Sequence, residues 1–334
     1  MNRQIVLAAR PKGWPKDSDF RLEEAAVPEP GPGQFLGRNI YMSVDPYMRG
    51  RMNDVKSYFP PFQIGQPLDG RAVGRVERSN HPKFAPGDYV TSMFGWREYF
   101  VSDGQGVQKI DPGLAPPATY LGVLGIPGFT GWYGLKYIGQ PKAGETLVVS
   151  AAAGATGSMA AQIGKILGCR VVGTAGTEEK CAYLTKELGL NAAVNYKTAG
   201  DLYAALREAC PKGIDIYFEN VGGAMTEAVF RLLNPYARIP LCGLISQYNL
   251  ETPDPGPRYW ASLLINRVVL KGFIISDHLD RLPEFFAEVG GWLKAGKLKY
   301  QETVVEGLEN APRAFLGMLR GENKGKMLVK IGQE

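Results

Sequence analysis

Hydrophobic and polar positions follow two different rhythms along this chain. From Met1 to about Tyr120, short β-like runs are separated by many Pro and Gly residues, and no helix of three turns is predicted among them. The runs are Gln4 to Ala8, Phe20 to Glu24, Gly37 to Met42, Ala72 to Glu77, Asp88 to Ser92 and Glu98 to Val101. This pattern predicts an all-β, partly barrel-like module.

From Glu145 onward, strand-like and helix-like segments alternate. The strand-like runs are Thr146–Val149, Arg170–Thr174, Ala192–Asn195, Ile214–Phe218, Arg238–Cys242 and Val268–Ile275. Helix-like runs between the first five are Ser158–Leu167, Glu178–Leu188, Ala199–Cys210 and Ala224–Leu233. The alternation predicts a doubly wound parallel sheet, with helices on both faces because the crossovers are right-handed.

The C-terminal tail leaves this rhythm. After an amphipathic helix predicted over Leu282–Leu298, it carries a helix over Ala311–Arg320 and a last strand over Met327–Ile331. We expect the tail to pack back on the N-terminal module.

A glycine turn links the first strand of the alternating region to its first helix. It reads Ala151-x-x-Gly154-x-x-Gly157, with Ala where the usual dinucleotide fingerprint has its first Gly. Glycine lets the backbone approach a pyrophosphate, and the helix N-terminus offers unpaired N–H groups and a favourable dipole. The strand–turn–helix–strand context therefore predicts a dinucleotide site.

The end of the second strand favours NADPH over NADH. A site for NADH usually carries Asp or Glu there, about 20 residues after the glycines, to bind the ribose hydroxyls. The corresponding position is Thr174, among small residues, and Lys180 follows on the next helix. Lys180 can hold a 2′-phosphate as a point charge.

Composition excludes several other functions. With 334 residues, 45% hydrophobic and 21% charged, the chain is long enough for two domains of a globular protein. The net charge of +5 is dispersed, which predicts neither nucleic acid nor a membrane as partner. No apolar run of 18 residues and no secretory leader is visible, and the four cysteines lack paired spacing, so we expect a cytoplasmic protein.

The chain has too few suitably spaced His and Cys residues to support metal or nucleophilic catalysis. The chain has two histidines, His81 and His278, and no Cys-x-x-Cys, so no zinc site is predicted. The same scarcity argues against Ser-His-Asp or Cys-His catalysis. Hydride transfer remains, in which the cofactor carries the chemistry and hydroxyl groups polarise the substrate. The chain offers 16 tyrosines for this role, among them the cluster Tyr41, Tyr47 and Tyr58, and Tyr248 after Ile245-Ser246-Gln247.

Several motifs resemble one known family along nearly the whole chain. They are Tyr41–Gly50, Gly125–Gly131, Ala151–Gly157, Asn195–Thr198, Tyr217–Gly223, Cys242–Asn249, Gly307–Pro312 and Gly325-Lys326. In this order they are similar to the zinc-independent branch of the medium-chain dehydrogenase/reductase superfamily. Within it they resemble the NADPH-dependent prostaglandin reductases and alkenal double-bond reductases, and most closely the bacterial curcumin reductases.

The resemblance implies an α/β fold with two domains. Residues 1–125 and 299–334 would form a GroES-like β-barrel catalytic domain, and residues 126–298 an inserted NADPH-binding Rossmann domain. It implies Tyr58 and Tyr248 as catalytic tyrosines, no metal, and a homodimer. The implied cofactor-binding residues are Gly154, Ala155, Thr156, Gly157, Lys180, Tyr196, Asn220, Cys242, Gly243, Leu244, Ile245, Ser246, Tyr248, Phe273, Ile274, Ile275 and Asn323.

The expected reaction is NADPH-dependent reduction of the C=C bond of an α,β-unsaturated aldehyde or ketone. Hydride would reach the β-carbon, a tyrosine would stabilise the enolate, and the α-carbon would then be protonated by Tyr or water. Two alternatives stay open. One is an NADPH-dependent quinone reductase, and the other is a non-catalytic, crystallin-like or sensor protein that binds NADPH.

Overall fold

A computed structural model describes the whole chain, residues 1–334. The strands are β1 (Asn2–Leu7), β2 (Phe20–Ala25), β3 (Phe35–Ser43), β4 (Ala72–Ser79), β5 (Tyr89–Ser92), β6 (Tyr99–Ser102), β7 (Gln108–Ile110), β8 (Thr146–Val149), β9 (Arg170–Ala175), β10 (Ala192–Asn195), β11 (Ile214–Phe218), β12 (Leu233–Leu241), β13 (Val269–Gly272), β14 (Glu302–Glu306) and β15 (Lys326–Lys330). The α-helices are α1 (Tyr47–Arg51), α2 (Ile126–Tyr133), α3 (Ala155–Ile166), α4 (Glu178–Ala182), α5 (Leu202–Ala209), α6 (Gly223–Phe230), α7 (Trp260–Ile265), α8 (Leu282–Lys294) and α9 (Ala311–Leu319).

The chain divides into two compact units. One contains Met1–Gly122 together with Glu302–Glu334, and the other contains Val123–Gln301. The first is called the barrel unit below and the second the sheet unit.

The barrel unit is built on a curved, mainly antiparallel sheet. Its strand order is β14-β15-β3-β4-β5-β7, and β6 also pairs with β3. The tail predicted to pack back does so, because β15 pairs with β3 antiparallel, with Leu328 opposite Ser43. Two apolar clusters fill the interior, one around Phe35 and Phe100 and one around Ile40 and Leu328.

The sheet unit contains the parallel sheet that the alternating pattern predicts. Its order is β10-β9-β8-β11-β12-β13, and every neighbouring pair is parallel. This is the strand order of dinucleotide-binding folds, with the reversal between β8 and β11. β8 is buried along its whole length, as expected for a strand covered on both faces.

Three of the differences from the sequence predictions lie in the sheet unit. β12 begins five residues earlier than Arg238, at Leu233, and contains an irregularity where Tyr236 adopts a φ of +63°. The predicted strand Val268–Ile275 ends already at Gly272. Phe273 leaves the sheet and packs its ring against Tyr133, at a centroid distance of 5.7 Å. α7 was not predicted, because its side chains are exposed or half-buried and give no apolar stripe.

No helix in the chain combines the length and apolar character needed to cross a membrane.

Candidate functional site

The carboxyl ends of β8 and β11 lie side by side where the strand order reverses. Open α/β sheets bind their ligands at this point. Ser150 follows β8 directly, and Glu219 and Asn220 follow β11. Asn220 ties the two strand ends together, since its backbone N–H donates to Ser150 Oγ at 2.8 Å and its Nδ2 to the Ser150 carbonyl at 2.7 Å.

The predicted glycine turn leads from β8 into α3. Gly154 is the extended N-cap residue, so Ala155, Thr156 and Gly157 form the first turn of the helix. The N–H groups of such a turn have no partner within the helix and can bind an anion. Gly157 fits tightly: a β-carbon there would lie 2.4 Å from the Ala151 carbonyl oxygen. The second glycine of the motif is therefore required for the close approach of turn and helix.

A basic and aromatic cluster lies where β9 and β10 end. Lys180 is on α4, and Tyr196 begins the turn after β10, with its N–H donating to the Ala175 carbonyl at 3.1 Å. The Tyr196 side chain lies over Gly176, where a β-carbon would be 2.8 Å from its hydroxyl oxygen. Burial, and secondly the charge of Lys197, lower the pKa of Lys180. Tyr196 and Lys197 both lie beside Gly176, and Lys197 is close enough to Lys180 to act on its charge, whereas a 2′-phosphate site here stays a prediction.

The loop after β12 carries Cys242, Gly243, Leu244, Ile245, Ser246 and Tyr248. Four backbone hydrogen bonds join it to the end of β11. The N–H groups of Cys242 and Gly243 donate to the Glu219 carbonyl, that of Ile245 to Asn220, and that of Ser246 to Val221, at 2.9 to 3.1 Å. The residues that follow β11 therefore anchor the first part of the predicted cofactor loop.

The Tyr248 phenol is held inside this loop. Its oxygen accepts a hydrogen bond from the Leu244 N–H at 3.1 Å, which leaves the phenolic proton for donation to another group. Burial raises the pKa of Tyr248, and the negative charge of Glu219 adds to the increase, whereas the Leu244 hydrogen bond opposes it. The phenol is therefore neutral at physiological pH and able to donate.

The remaining predicted residues lie in other segments. In the sheet unit, Phe273, Ile274 and Ile275 are half-buried at the end of β13. In the barrel unit, Tyr58 is 54% exposed in the loop after α1. Asn323 lies in the turn before β15, and its Nδ2 donates to the Gly325 carbonyl at 2.7 Å.

Comparison with known proteins places the chain in a family. Residues 3–110 match the family described as N-terminal domain of oxidoreductase, and residues 155–290 match the family described as zinc-binding dehydrogenase. The chain is 50% identical to NADPH-dependent curcumin reductase of Escherichia coli, over 99% of this chain and 97% of that protein. It is 42% identical to 2-alkenal reductase (NADP⁺-dependent) of Nicotiana tabacum, over 100% and 98%. The solved structure of CurA from Vibrio vulnificus in complex with NADPH has 50% identity and a TM-score of 0.96, over 99% of this chain and 100% of that one.

The chain belongs to the medium-chain dehydrogenase/reductase family. The resemblance to its alkenal and curcumin reductases is confirmed, and so is the fold class of a Rossmann-like sheet with a separate N-terminal sheet domain. One family description mentions zinc, but no group of three or more His, Cys, Asp or Glu side chains is placed to hold a metal ion.

Sequence reasoning missed Lys197 as a site residue. Its side chain reaches the same place as Tyr196, since a β-carbon on Gly176 would lie 3.2 Å from Lys197 Cε. The turn that carries both residues is anchored by Glu178, whose Oε1 accepts from Asn195 Nδ2 at 2.6 Å and from Thr198 Oγ1 at 3.2 Å. The fragment Asn195-Tyr-Lys-Thr198 contained the necessary information, but only its aromatic residue was considered.

Sequence reasoning also missed the role of Glu219. Its carboxylate is 1% exposed and accepts from Ser150 Oγ at 2.9 Å, from the N–H groups of Val221 and Gly222 at 2.7 and 3.1 Å, and from Thr226 Oγ1. Four donors compensate for the burial of the charge. A single acidic residue at a strand end gives no indication of such a network.

The residues present in the sheet unit fit a dinucleotide phosphate. The first turn of α3 offers backbone N–H groups, Tyr196 and Lys197 lie beside Gly176, and Lys180 is near enough to Lys197 for their charges to interact. This donor set suits a phosphate on the ribose, whereas Thr174, fully buried at the end of β9, offers no carboxylate for ribose hydroxyls.

Proposed function

We propose that this chain reduces the C=C bond of α,β-unsaturated aldehydes and ketones. Its class and cofactor follow from the family: the chain is an NADPH-dependent oxidoreductase. The substrate class is supported by the names of the two relatives, which are 50% and 42% identical over almost their full lengths. The observation that carries the proposal is the neutral, half-buried phenol of Tyr248 in the loop after β12.

The chain's own residues have two tasks in this reaction. The first turn of α3, with Lys180, Lys197 and Tyr196, binds the phosphates of the cofactor, and the loop Cys242–Tyr248 holds its nicotinamide half. Bound NADPH supplies a hydride for the β-carbon of the substrate. Negative charge then develops on the carbonyl oxygen, and a fixed donor aimed at that charge is worth about 3 kcal/mol.

Tyr248 is the first candidate for this donor. Its oxygen already accepts from the Leu244 N–H, so the phenolic proton is directed away from that bond. We place its hydrogen bond either on the developing enolate oxygen or on the nicotinamide ribose hydroxyl beside it. The exposed hydroxyl of Tyr58 is the second candidate. The proton that completes the product at the α-carbon comes from a tyrosine or from water.

Product analysis on a small set of acceptors tests the proposal. Oxidation of NADPH is followed with a trans-2-enal, a dienone and a small quinone, and the carbon products are identified. We expect saturated aldehyde and ketone from the first two. Activity on the quinone alone favours a quinone reductase, and tight NADPH binding without turnover of any acceptor favours a non-catalytic protein. Either result refutes the proposal.

Single substitutions then test the tyrosines. We expect Tyr248→Phe or Tyr58→Phe to lower kcat by about 100-fold if that hydroxyl is the donor. Tyr236→Phe is the matched control, because this tyrosine is 65% exposed at the irregularity within β12. Unchanged turnover in both test variants removes the proposed roles. The homodimer stays a prediction that a measurement of molar mass in solution can test.

A further inference from the structure

The loop that carries Tyr58 has no regular secondary structure. It runs from Asn53 to Phe62 and is called the Tyr58 loop here. All residues from Asp54 to Tyr58 are exposed, and Phe62 is the fully buried side chain of the loop. Such a segment has little apolar burial of its own to fix its conformation. Something else in the barrel unit must therefore order it.

The guanidinium group of Arg51 contacts the C-terminal half of this loop from three directions. Arg51 is 7% exposed, and its Nε donates to the Pro60 carbonyl at 2.9 Å. Its Nη1 and Nη2 donate to the two carboxylate oxygens of Asp69, the second at 2.9 Å. Its Cζ lies 4.0 Å from the centre of the Phe62 ring. One side chain thus binds a loop carbonyl, a loop ring and a carboxylate outside the loop.

The backbone of Arg51 adds a fourth connection. Its carbonyl oxygen accepts from the Phe62 N–H at 2.8 Å. The planar guanidinium offers donors in a fixed fork, which a lysine ammonium cannot reproduce. Because Asp69 takes both terminal nitrogens, Nε is directed toward Pro60, and the position of the loop depends on the orientation of this ion pair.

The aromatic rings transmit this position to Tyr58. Phe59 lies next to Pro60, and its ring centre is 5.3 Å from that of Tyr58 and 5.5 Å from that of Tyr47 on α1. Aromatic pairs at these distances attract each other beyond the burial of their surface. The Tyr58 ring is therefore packed against a residue whose backbone neighbour is bonded to Arg51.

Other arginines contact the start of the loop. Arg10 Nη1 donates to the Met52 carbonyl at 3.0 Å, and Arg49 Nη1 donates to Asn53 Oδ1 at 2.8 Å. Arg10 Nη2 also lies 3.7 Å from Oδ2 of Asp54, the first exposed residue of the loop. The Arg51 side chain donates beyond the exposed stretch, to the Pro60 carbonyl.

We propose that Arg51, oriented by Asp69, is a positioning residue that fixes the Tyr58 loop and with it the Tyr58 hydroxyl. The proposed ordering of the loop by Arg51 does not depend on whether the protein has the proposed activity. The effect on turnover rests on the proposed role of Tyr58 as a donor. The two parts therefore need separate measurements.

Hydrogen exchange of the full-length protein tests the ordering. Arg51→Lys keeps the charge but loses the fork. We expect exchange of the Phe62 amide, which donates to the Arg51 carbonyl, to accelerate by about 10-fold or more, since hydrogen bonds to charged groups contribute strongly. Arg78→Lys is the matched control, because Arg78 is exposed in the same unit and pairs with Glu29. Should Arg51→Lys not fold, Asp69→Asn, which removes the ion pair that orients the Arg51 guanidinium toward Pro60, gives the same measurement. Unchanged exchange in the loop overturns the proposal.

A double-mutant cycle with an enone substrate tests the consequence for turnover. If Arg51 acts through Tyr58, Arg51→Lys lowers kcat, and combining it with Tyr58→Phe lowers kcat no further than Tyr58→Phe alone. Losses that multiply refute a role through Tyr58. If Tyr58→Phe by itself leaves turnover unchanged, the proposed role of Tyr58 fails, whereas the exchange result still decides whether Arg51 orders the loop.

Discussion

Lys197 gives the sharpest prediction for the cofactor site. Replacement by Gln removes its charge but keeps most of the stem that lies near Gly176. We expect weaker binding of NADPH and unchanged binding of NADH, because only the first has a 2′-phosphate. The charge of Lys197 also lowers the pKa of Lys180, after the larger effect of burial. Two ammonium groups that repel each other in this way gain from an anion placed between them.

The size of the effect follows from the exposure of Lys197. The residue is exposed, so the dielectric constant of water applies, and one pair of unit charges about 4 Å apart contributes about 1 kcal/mol. A phosphate near −2 raises this to about 2 kcal/mol at most. The expected loss of NADPH affinity is therefore about 5- to 30-fold. It should shrink as salt is added, since exposed charges are screened.

Titration of both nucleotides by protein fluorescence provides the assay. Lys212→Gln, an exposed lysine in the turn before β11, is the control. The pH dependence adds a second measurement. Lys180 holds the phosphate when protonated, so NADPH affinity falls as the pH rises through the pKa of Lys180. Without the charge of Lys197 this pKa rises, and the fall moves to higher pH. Equal losses for NADPH and NADH, or no loss for NADPH, would refute the reasoning.

Three further predictions concern the network around Glu219. The Glu219→Gln side chain can keep an oxygen toward the N–H groups of Val221 and Gly222, whereas Glu219→Leu leaves both groups without an acceptor. Each unpaired buried group costs about 1–3 kcal/mol, so calorimetry should show a far larger fall in Tm for Glu219→Leu than for Glu219→Gln. Burial, and then the charge of Glu219, raise the pKa of the Cys242 thiol to about 12. Iodoacetamide should therefore alkylate Cys242 slowly at pH 8 and faster in the Glu219→Gln variant, which mass spectrometry can measure. Burial raises the pKa of Tyr248 above that of an ordinary tyrosine, so kcat on an enone should show no loss from phenol ionisation at pH 8. A Tyr248-dependent loss at that pH contradicts this.

Much of the sheet unit could be predicted because its information is local. A strand buried on both faces reads as a continuous apolar run, as in Thr146–Val149, whose predicted bounds are those of β8. The glycine turn was equally visible in the sequence. The structure explains why glycine is needed there, because a β-carbon on Gly157 has no room beside Ala151. Strand ends were predicted less well where tertiary packing decides them. Phe273 belongs to an apolar run but leaves the sheet to pack on Tyr133.

The sequence by itself determined the type of fold, the glycine turn and the candidate Lys180, because periodicity and residue type act within a few positions of the chain. Tyr196 and Tyr248 were named through the family resemblance. Only the tertiary structure decided which distant side chains meet. Lys197 joins Lys180 through the pairing of β9 with β10. Glu219 joins Ser150 across 69 residues of sequence, and Arg51 joins Asp69 across 18. Such contacts depend on how side chains are oriented in the folded core, and the spacing of residues along the chain does not specify that orientation.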